Sequence, residues 1–261
     1  MTRIHRAGMA VVIGALVAGA AATAQAQIQG MPLFTNPRYA TGFRVLADLG
    51  VPTAKGTSLG DYNVMQGGVA LALGPVGIGA NVGVTRNDFK TITHGTSSAA
   101  VGAQTKATAS ALLQLRLAGG GTSLWSFSIF GGASMDVNGF KFANIGSLPQ
   151  SIQDSLNNAN PKILTIPVGA ALGLKLPLVI ISPNLWVAPR YNMTRVLKCP
   201  TGATCSTDGQ FRVAFGLDIP IFRIISVRAA YDTGKIKGSS GASQTVSNFG
   251  VGASIGIGGM R

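Results

Sequence analysis

The sequence predicts an all-β fold: a single closed, antiparallel, up-and-down transmembrane β-barrel of about ten strands, with about eight as the alternative count. Three observations predict it. The composition is apolar and glycine-rich at once, apolar residues recur with a period of two opposite a face of small residues, and the connections alternate between short and long.

The composition comes first. Gly contributes 36 residues and charged residues only 11%, and mean hydropathy is +0.36. Yet beyond the first two dozen residues no apolar run reaches the ~18 residues that a membrane helix needs. Helices would not use so much Gly, because each one costs backbone entropy. The apolar surface must therefore face something other than water without forming helical spans. A closed sheet does this, since it satisfies every backbone polar group inside the bilayer.

The beginning of the chain reads as an export signal. Arg3 and Arg6 precede an apolar stretch, Ala7 to Ala22, and Ala24-Gln25-Ala26 offers a small-x-small cleavage site before Gln27. Residues 1–26 are expected to be a cleaved signal peptide and 27–261 the barrel domain. Formal charge is +13 with a pI near 10.5, and all eight acidic residues are Asp. The basic residues are spread singly rather than clustered among aromatics, which speaks against nucleic acid. An exported basic protein fits an anionic membrane surface instead.

Alternation then places the strands. Val76, Ile78, Ala80, Val82 and Val84 alternate with Gly77, Gly79, Asn81, Gly83 and Thr85. Leu164 to Leu176, Phe211 to Ile219 and Phe249 to Ile257 repeat the pattern. A soluble sheet would show Lys, Glu and Gln on its second face, whereas this face is mostly Gly, Ala and Ser, suited to a narrow interior. Strands are expected near 38–49, 62–73, 75–86, 106–118, 122–136, 162–176, 182–194, 209–219, 222–233 and 244–258. Short turns then fall at Gly74–Pro75, Gly119–Gly121, Pro177–Ile181 and Pro220–Ile221, and long loops at 50–61, 87–105, 137–161, 195–208 and 234–243. A weak repeat supports the turns. Val69 to Pro75, Leu172 to Pro177 and Phe215 to Pro220 each run an alternating strand into a proline, where ladder pairing stops. Residues 163–189 are apolar enough to be tested as a helical span, but Pro167, Pro177, Pro183, Pro189 and Lys175 argue against one.

This pattern of export signal, alternating strands and sorted loops resembles the small bacterial outer-membrane β-barrel superfamily: the OmpA-like and OmpW-like transmembrane domains and porin-like surface antigens. The resemblance covers the whole chain after the signal and implies the bacterial outer membrane, with short turns in the periplasm and long loops outside. It departs at the end, where the superfamily's last strand usually closes on an aromatic residue and this chain reads Gly258-Gly259-Met260-Arg261.

Alternation points Arg44, Asp48, Arg116, Lys175, Arg190, Arg212, Asp218, Arg228 and Asp232 into the lumen. They fit a bracing network of Arg–Asp pairs, because an unpaired charge in a narrow interior is costly. They also fit a narrow, basic, anion-preferring channel. The function expected is structural or that of a small porin. The alternative is a surface-interaction protein, an adhesin, antigen or envelope-lipid binder, that uses its basic loops. Arg86, Lys90, Lys106, Lys141, Lys162, Arg195, Lys198, Lys235 and Lys237 are expected to form a basic external rim facing outer-membrane lipids, lipopolysaccharide phosphates above all. Tyr62, Tyr191, Phe211 and Tyr231 are expected as an interfacial girdle.

Ser147 with Gln150, Pro149, and Leu148, Ile152 and Leu156 at helical spacing predict a short helix in the longest loop, as a lid or an inward fold. Cys199 and Cys205, close together in one external loop of an exported chain, predict a disulfide. Outer-membrane proteases and lipid-modifying barrels of this size use a rim His with acidic or Ser partners. His94 has Asp88 and Ser97 near it in sequence, but no matching motif appears; the chain is not expected to be an enzyme, a rim-located acyl-transfer or protease site near His94 being the lesser alternative. No metal spacing, phosphate loop or dinucleotide fingerprint is present, so no cofactor is expected. The protein is expected to be a monomer.

Overall fold

Residues that alternate in the sequence alternate in space. In the computed structural model, which describes residues 36–37, 41–52, 61–88, 91–94, 97–100, 104–120, 123–138, 146, 150, 153–154, 162–178, 182–197, 207–221, 224–237 and 243–257, ten long strands close into one barrel. In chain order these are β1 (Gly42–Pro52), β2 (Asp61–Leu73), β3 (Val76–Asp88), β6 (Gln104–Gly119), β7 (Trp125–Asp136), β8 (Ile163–Lys175), β9 (Asn184–Val196), β10 (Thr207–Pro220), β11 (Ile225–Lys237) and β12 (Ser243–Ile257). Two further strands, β4 (Thr91–His94) and β5 (Ser97–Ala100), pair as a hairpin inside the loop between β3 and β6.

Every neighbour in the barrel is antiparallel, and each strand pairs with the next barrel strand in sequence. The ladder closes where β1 meets β12, with Phe43 opposite Ile257 and Pro52 opposite Asn248. The strands run from 11 to 16 residues, beyond the about 9–11 that cross a hydrocarbon core at a tilt of about 45°.

Turn geometry explains the short connections. Gly74 takes a φ of 59° between β2 and β3, a left-handed conformation that residues with a Cβ rarely adopt. Gly119 and Gly120, at φ of 73° and 117°, do the same after β6. The loops sort less strictly than the sequence predicts. On the long-loop end, the connection at 238–242 is shorter than 176–183 on the opposite end, because β11 and β12 keep pairing out to Lys237 and Ser243. The first strand also differs from expectation, starting at Gly42 and running to Pro52.

The barrel is inside out. Val82 is 68% exposed and Met65 63% on the outer face, along with Leu71, Ile78, Leu113, Val168, Leu172, Phe215 and Val251. Arg212, Asp232, Asn192 and Gln114 are buried on the inner face. A water-soluble monomer rarely exposes an apolar patch larger than a few hundred Å², whereas here apolar side chains cover the outer wall. That is the arrangement of a barrel whose outer wall meets lipid.

The signal peptide and the cleavage site lie outside the described residues, as do Cys199 and Cys205 and most of the expected loop helix. Within that loop Gln150, Gln153 and Asp154 are helical, and Gln150 Nε2 donates to Asp154 Oδ1 at 3.1 Å, one turn on.

The outer face supplies a direct test. Val82→Arg places a charge midway along β3 on the lipid side and is expected to lower unfolding free energy by about 2–4 kcal/mol in lipid vesicles. An effect within about 0.5 kcal/mol, typical of water-exposed surface positions, would contradict a lipid-facing wall; equilibrium urea unfolding followed by tryptophan fluorescence measures it.

Candidate functional site: the barrel interior

The inner wall is built from alternate residues of each strand, so its chemistry follows from the sequence position by position. Three layers result. Toward the short-turn end lie Arg44, Gln114, Ser128, Asp218, Ser226 and Ser254. Across the middle lie Leu46, Leu112, Phe130 and Trp186, packed with Ala70, Ala171, Ala188, Ala214 and Ala230 in one buried apolar cluster. Toward the long-loop end lie Arg190, Arg212 and Asp232 with the polar residues beyond them.

The charged groups are tied by short, specific contacts. Arg190 Nη2 donates to Asp232 Oδ1 at 2.6 Å, while Arg212 donates to Asp232 Oδ2 from Nε at 2.8 Å and from Nη2 at 2.5 Å. One carboxylate thus holds two guanidiniums that sit directly opposite each other across β9 and β10. Arg228 grips Asp48 Oδ1 through Nε at 2.8 Å and through Nη2, and Gln66 Nε2 donates to the other oxygen at 3.1 Å. Charge-assisted, forked contacts of this kind are the strong ones, and buried as they are, each offsets a large desolvation cost.

Small residues make room for these long side chains. A methyl group on Gly169 would meet Arg190 Cβ at 2.8 Å and the Phe130 ring at 2.7 Å. The Arg190 stem therefore lies flat against the wall.

The segment before β1 also enters the bore. Asn36 is 3% exposed. Its amide donates to Asp218, and its carbonyl accepts from Gln114 Nε2 at 3.3 Å. Asp218 accepts in addition from the Trp186 indole at 3.2 Å. Pro37 packs on Gly173, where a methyl group would meet its Cγ at 2.8 Å. Residues 36–37 thus touch β6, β8 and β10 across the short-turn end. Nothing in the sequence around Asn36 signals this, because the segment has no alternation of its own.

Other expected inward residues lie toward the short-turn mouth. Arg44 is half-buried and donates to Ser226 and Ser254 hydroxyls at 3.4 Å. Arg116 sits at the short-turn mouth, where Nη2 donates to Gly74 O at 3.0 Å. It keeps the inward count, opposite the buried Ser128, and the register shift of the β6–β7 pairing comes only after it, between Arg116 and Ala118. Lys175 is the half-exposed last residue of β8, at that same end.

The expected basic rim divides. Arg86, Lys162, Arg195 and Lys235 are exposed near the long-loop end of the barrel. Lys106 differs: it points inward, is 1% exposed and pairs with Asp136, because its position in β6 falls on the inner face beside Thr108. The side chain of Lys237 and all of Lys90, Lys141 and Lys198 lie outside the described residues. The aromatic residues Tyr191 and Phe211 stand exposed and opposite each other on the outer wall, and the Phe215 and Tyr231 rings stack with centroids 5.2 Å apart. The side chain of Tyr62 falls outside the description, as do those of Asp88, His94 and Ser97, so the structure describes the backbone pairing of His94 with Ser97 alone.

No family model and no curated protein matches the chain. Among solved structures it is similar to a loop L8 deletion mutant of OmpT, an outer membrane protein of Vibrio cholerae, at 16% identity and a TM-score of 0.37, covering 83% of this chain and 60% of that one. It is similar to the translocator domain of autotransporter NalP from Neisseria meningitidis at 12% identity and a TM-score of 0.48, covering 94% and 99%. Neisserial surface protein A is a third, at 12% identity and a TM-score of 0.34, covering 84% and 100%. The chain spans about 60% of the length of the Vibrio protein. At these levels the likeness carries none of those proteins' roles; closure, strand direction and the apolar outer wall of this chain itself make it a membrane-spanning barrel of the bacterial outer-membrane type.

The shared carboxylate is the point of greatest leverage in the interior. Asp232→Asn is expected to destabilise the barrel by about 3–5 kcal/mol, since it strands two buried guanidiniums without a counter-charge. Arg212→Met is expected to cost less, because Asp232 keeps Arg190. Unfolding free energies of the two variants in the same detergent check the order; the reverse order would show that Asp232 does not hold the pair.

Proposed function

We propose that this chain is an integral protein of a bacterial outer membrane whose barrel is a braced, closed anchor for its long loops and not a diffusion pore. The observation that carries this reading is the apolar layer across the bore. Leu46, Leu112, Phe130 and Trp186 are each 4–6% exposed and meet over a floor of alanines. An ion crossing there would shed its hydration with no polar group to replace it, and apolar constrictions of this kind close by excluding water. On the short-turn side Asn36 and Pro37 stand across the same opening.

The charged inner residues fit bracing better than conduction. Asp48 and Asp232 are each bonded to guanidiniums, so neither is available as a mobile-ion site. On the outside, exposed Arg86, Lys162, Arg195 and Lys235 stand where lipid phosphates would meet the barrel, and multiple charge-assisted contacts there would add to insertion.

Planar-bilayer recording tests the reading. The refolded protein is expected to give no steady conductance steps, and replacing Phe130 and Trp186 together with Ala is expected to produce them. Steady anion-selective steps from the unaltered protein would overturn the anchor and establish a small porin.

A further inference from the structure

We infer that the long-loop half of the bore holds a binding site for one small free oxyanion of phosphate or sulfate chemistry, centred on Arg190 and Arg212. The first observation is charge. Two guanidiniums, at 1% and 0% exposure, share the single carboxylate of Asp232, which leaves one positive charge uncompensated among the described side chains of the cluster. Asp48 cannot supply the balance, because Arg228 and Gln66 already occupy it.

The second observation is independent of charge. Among the described residues, Arg190 Nε and Nη1 and Arg212 Nη1 have no hydrogen-bond partner. Neither do both amide atoms of Asn192, the hydroxyls of Thr165 and Thr194, or Gln210 Oε1. All of these side chains are buried to within 4% exposure. Register places them in one patch: Arg190 lies opposite Arg212 and Asn192 opposite Gln210, while Thr165 lies opposite Thr194. Buried polar groups in proteins are almost always paired, and leaving several unpaired beside an excess cation is costly. A tetrahedral oxyanion supplies what the donors of this patch lack: negative charge, and acceptors for the guanidinium N–H groups, the Asn192 amide N–H and the threonine hydroxyls.

The architecture makes the site a dead end. Asn192 and Thr194 lie two and four residues nearer the long-loop end than Arg190, and the apolar layer lies on the other side. An ion would enter and leave by the long-loop mouth. The full enclosure of the two guanidiniums fits a free ion and not a lipid headgroup.

The test is titration of the refolded protein in a nonionic detergent with inorganic phosphate at constant ionic strength, using chloride as reference. Calorimetry reads binding, and circular dichroism reads thermal unfolding. The expected result is saturable binding of one phosphate per chain and a rise in unfolding temperature that chloride does not produce. Asn192→Leu, close in shape and removing a polar group unpaired in the absence of ligand, is expected to stay folded and to weaken phosphate at least tenfold. Thr165→Val is the second variant, with the same expectation, should Asn192→Leu fail to refold. Equal effects of phosphate and chloride, or unchanged phosphate affinity in a folded variant, would overturn the site. A bore that conducts would end the anchor reading of the preceding subsection without touching this result.

Discussion

A strand edge has no solvent inside a bilayer. Each unpaired N–H or C=O in hydrocarbon costs several kcal/mol, so the pairing of β1 with β12 is the constraint on which the rest of the molecule depends. Once that seam closes, with Phe43 to Pro52 laid along Asn248 to Ile257, the strand period of two assigns every side chain to one of two environments. The outer wall is solvated by acyl chains and tolerates any apolar shape. The inner wall must fill a narrow tube, and this is why it is rich in glycine, alanine and serine with a few long side chains crossing between them.

The interior then has to solve an electrostatic problem that the outer wall never meets. Arginines inside a tube of low dielectric are tolerable only when paired. The carboxylates available in the middle of the barrel are few, since the chain has eight acidic residues in all and several lie near strand ends. Asp48 and Asp232 therefore act as hubs, each bonded to residues more than a dozen positions away. These contacts cross-link strands that are not neighbours in the sheet: Asp48 on β1 reaches Arg228 on β11, and Asp232 on β11 reaches Arg190 on β9. Such cross-links stiffen the wall against ovalisation in a way that the ladder hydrogen bonds, which join only adjacent strands, do not.

The outer face was legible in the sequence almost residue by residue, because alternation is local and its period is that of the strand itself. Val76 to Val84, Leu164 to Leu176 and Phe211 to Ile219 stand outward as the pattern implies. The interior was legible only as a face. Which Asp meets which Arg depends on how the sheet closes: Arg228 and Asp48 are 180 positions apart, and nothing local encodes that. Two residues show what period-two reasoning leaves open. Arg116 keeps the count, opposite Ser128, yet stands so near the turn that its guanidinium reaches Gly74 O at the mouth. Lys106, taken from its charge for a rim residue, obeys the count and turns inward to Asp136. The entry of Asn36 into the bore had no signal at all, being a single contact set made by a segment outside any strand.

The layering of the bore follows from the same economy of long side chains. Where two strands face each other across a tube this narrow, a ring or a branched chain from one side fills the space, and the opposite wall must be alanine or glycine. Gly216, the register partner of Trp186 on the adjacent strand, makes room for its ring, and the alanines at 188, 214 and 230 line the same layer. A polar side chain in that layer would have to find a partner on a wall that offers only methyl groups. Polar residues are thereby displaced toward the two ends, and Arg190 and Arg212 with the polar amides and hydroxyls collect above the layer, where neighbouring inward positions are polar on β8, β9 and β10. Closure of the seam thus sets the faces, the faces set the apolar plug, and the plug leaves Arg190 and Arg212 together on its long-loop side.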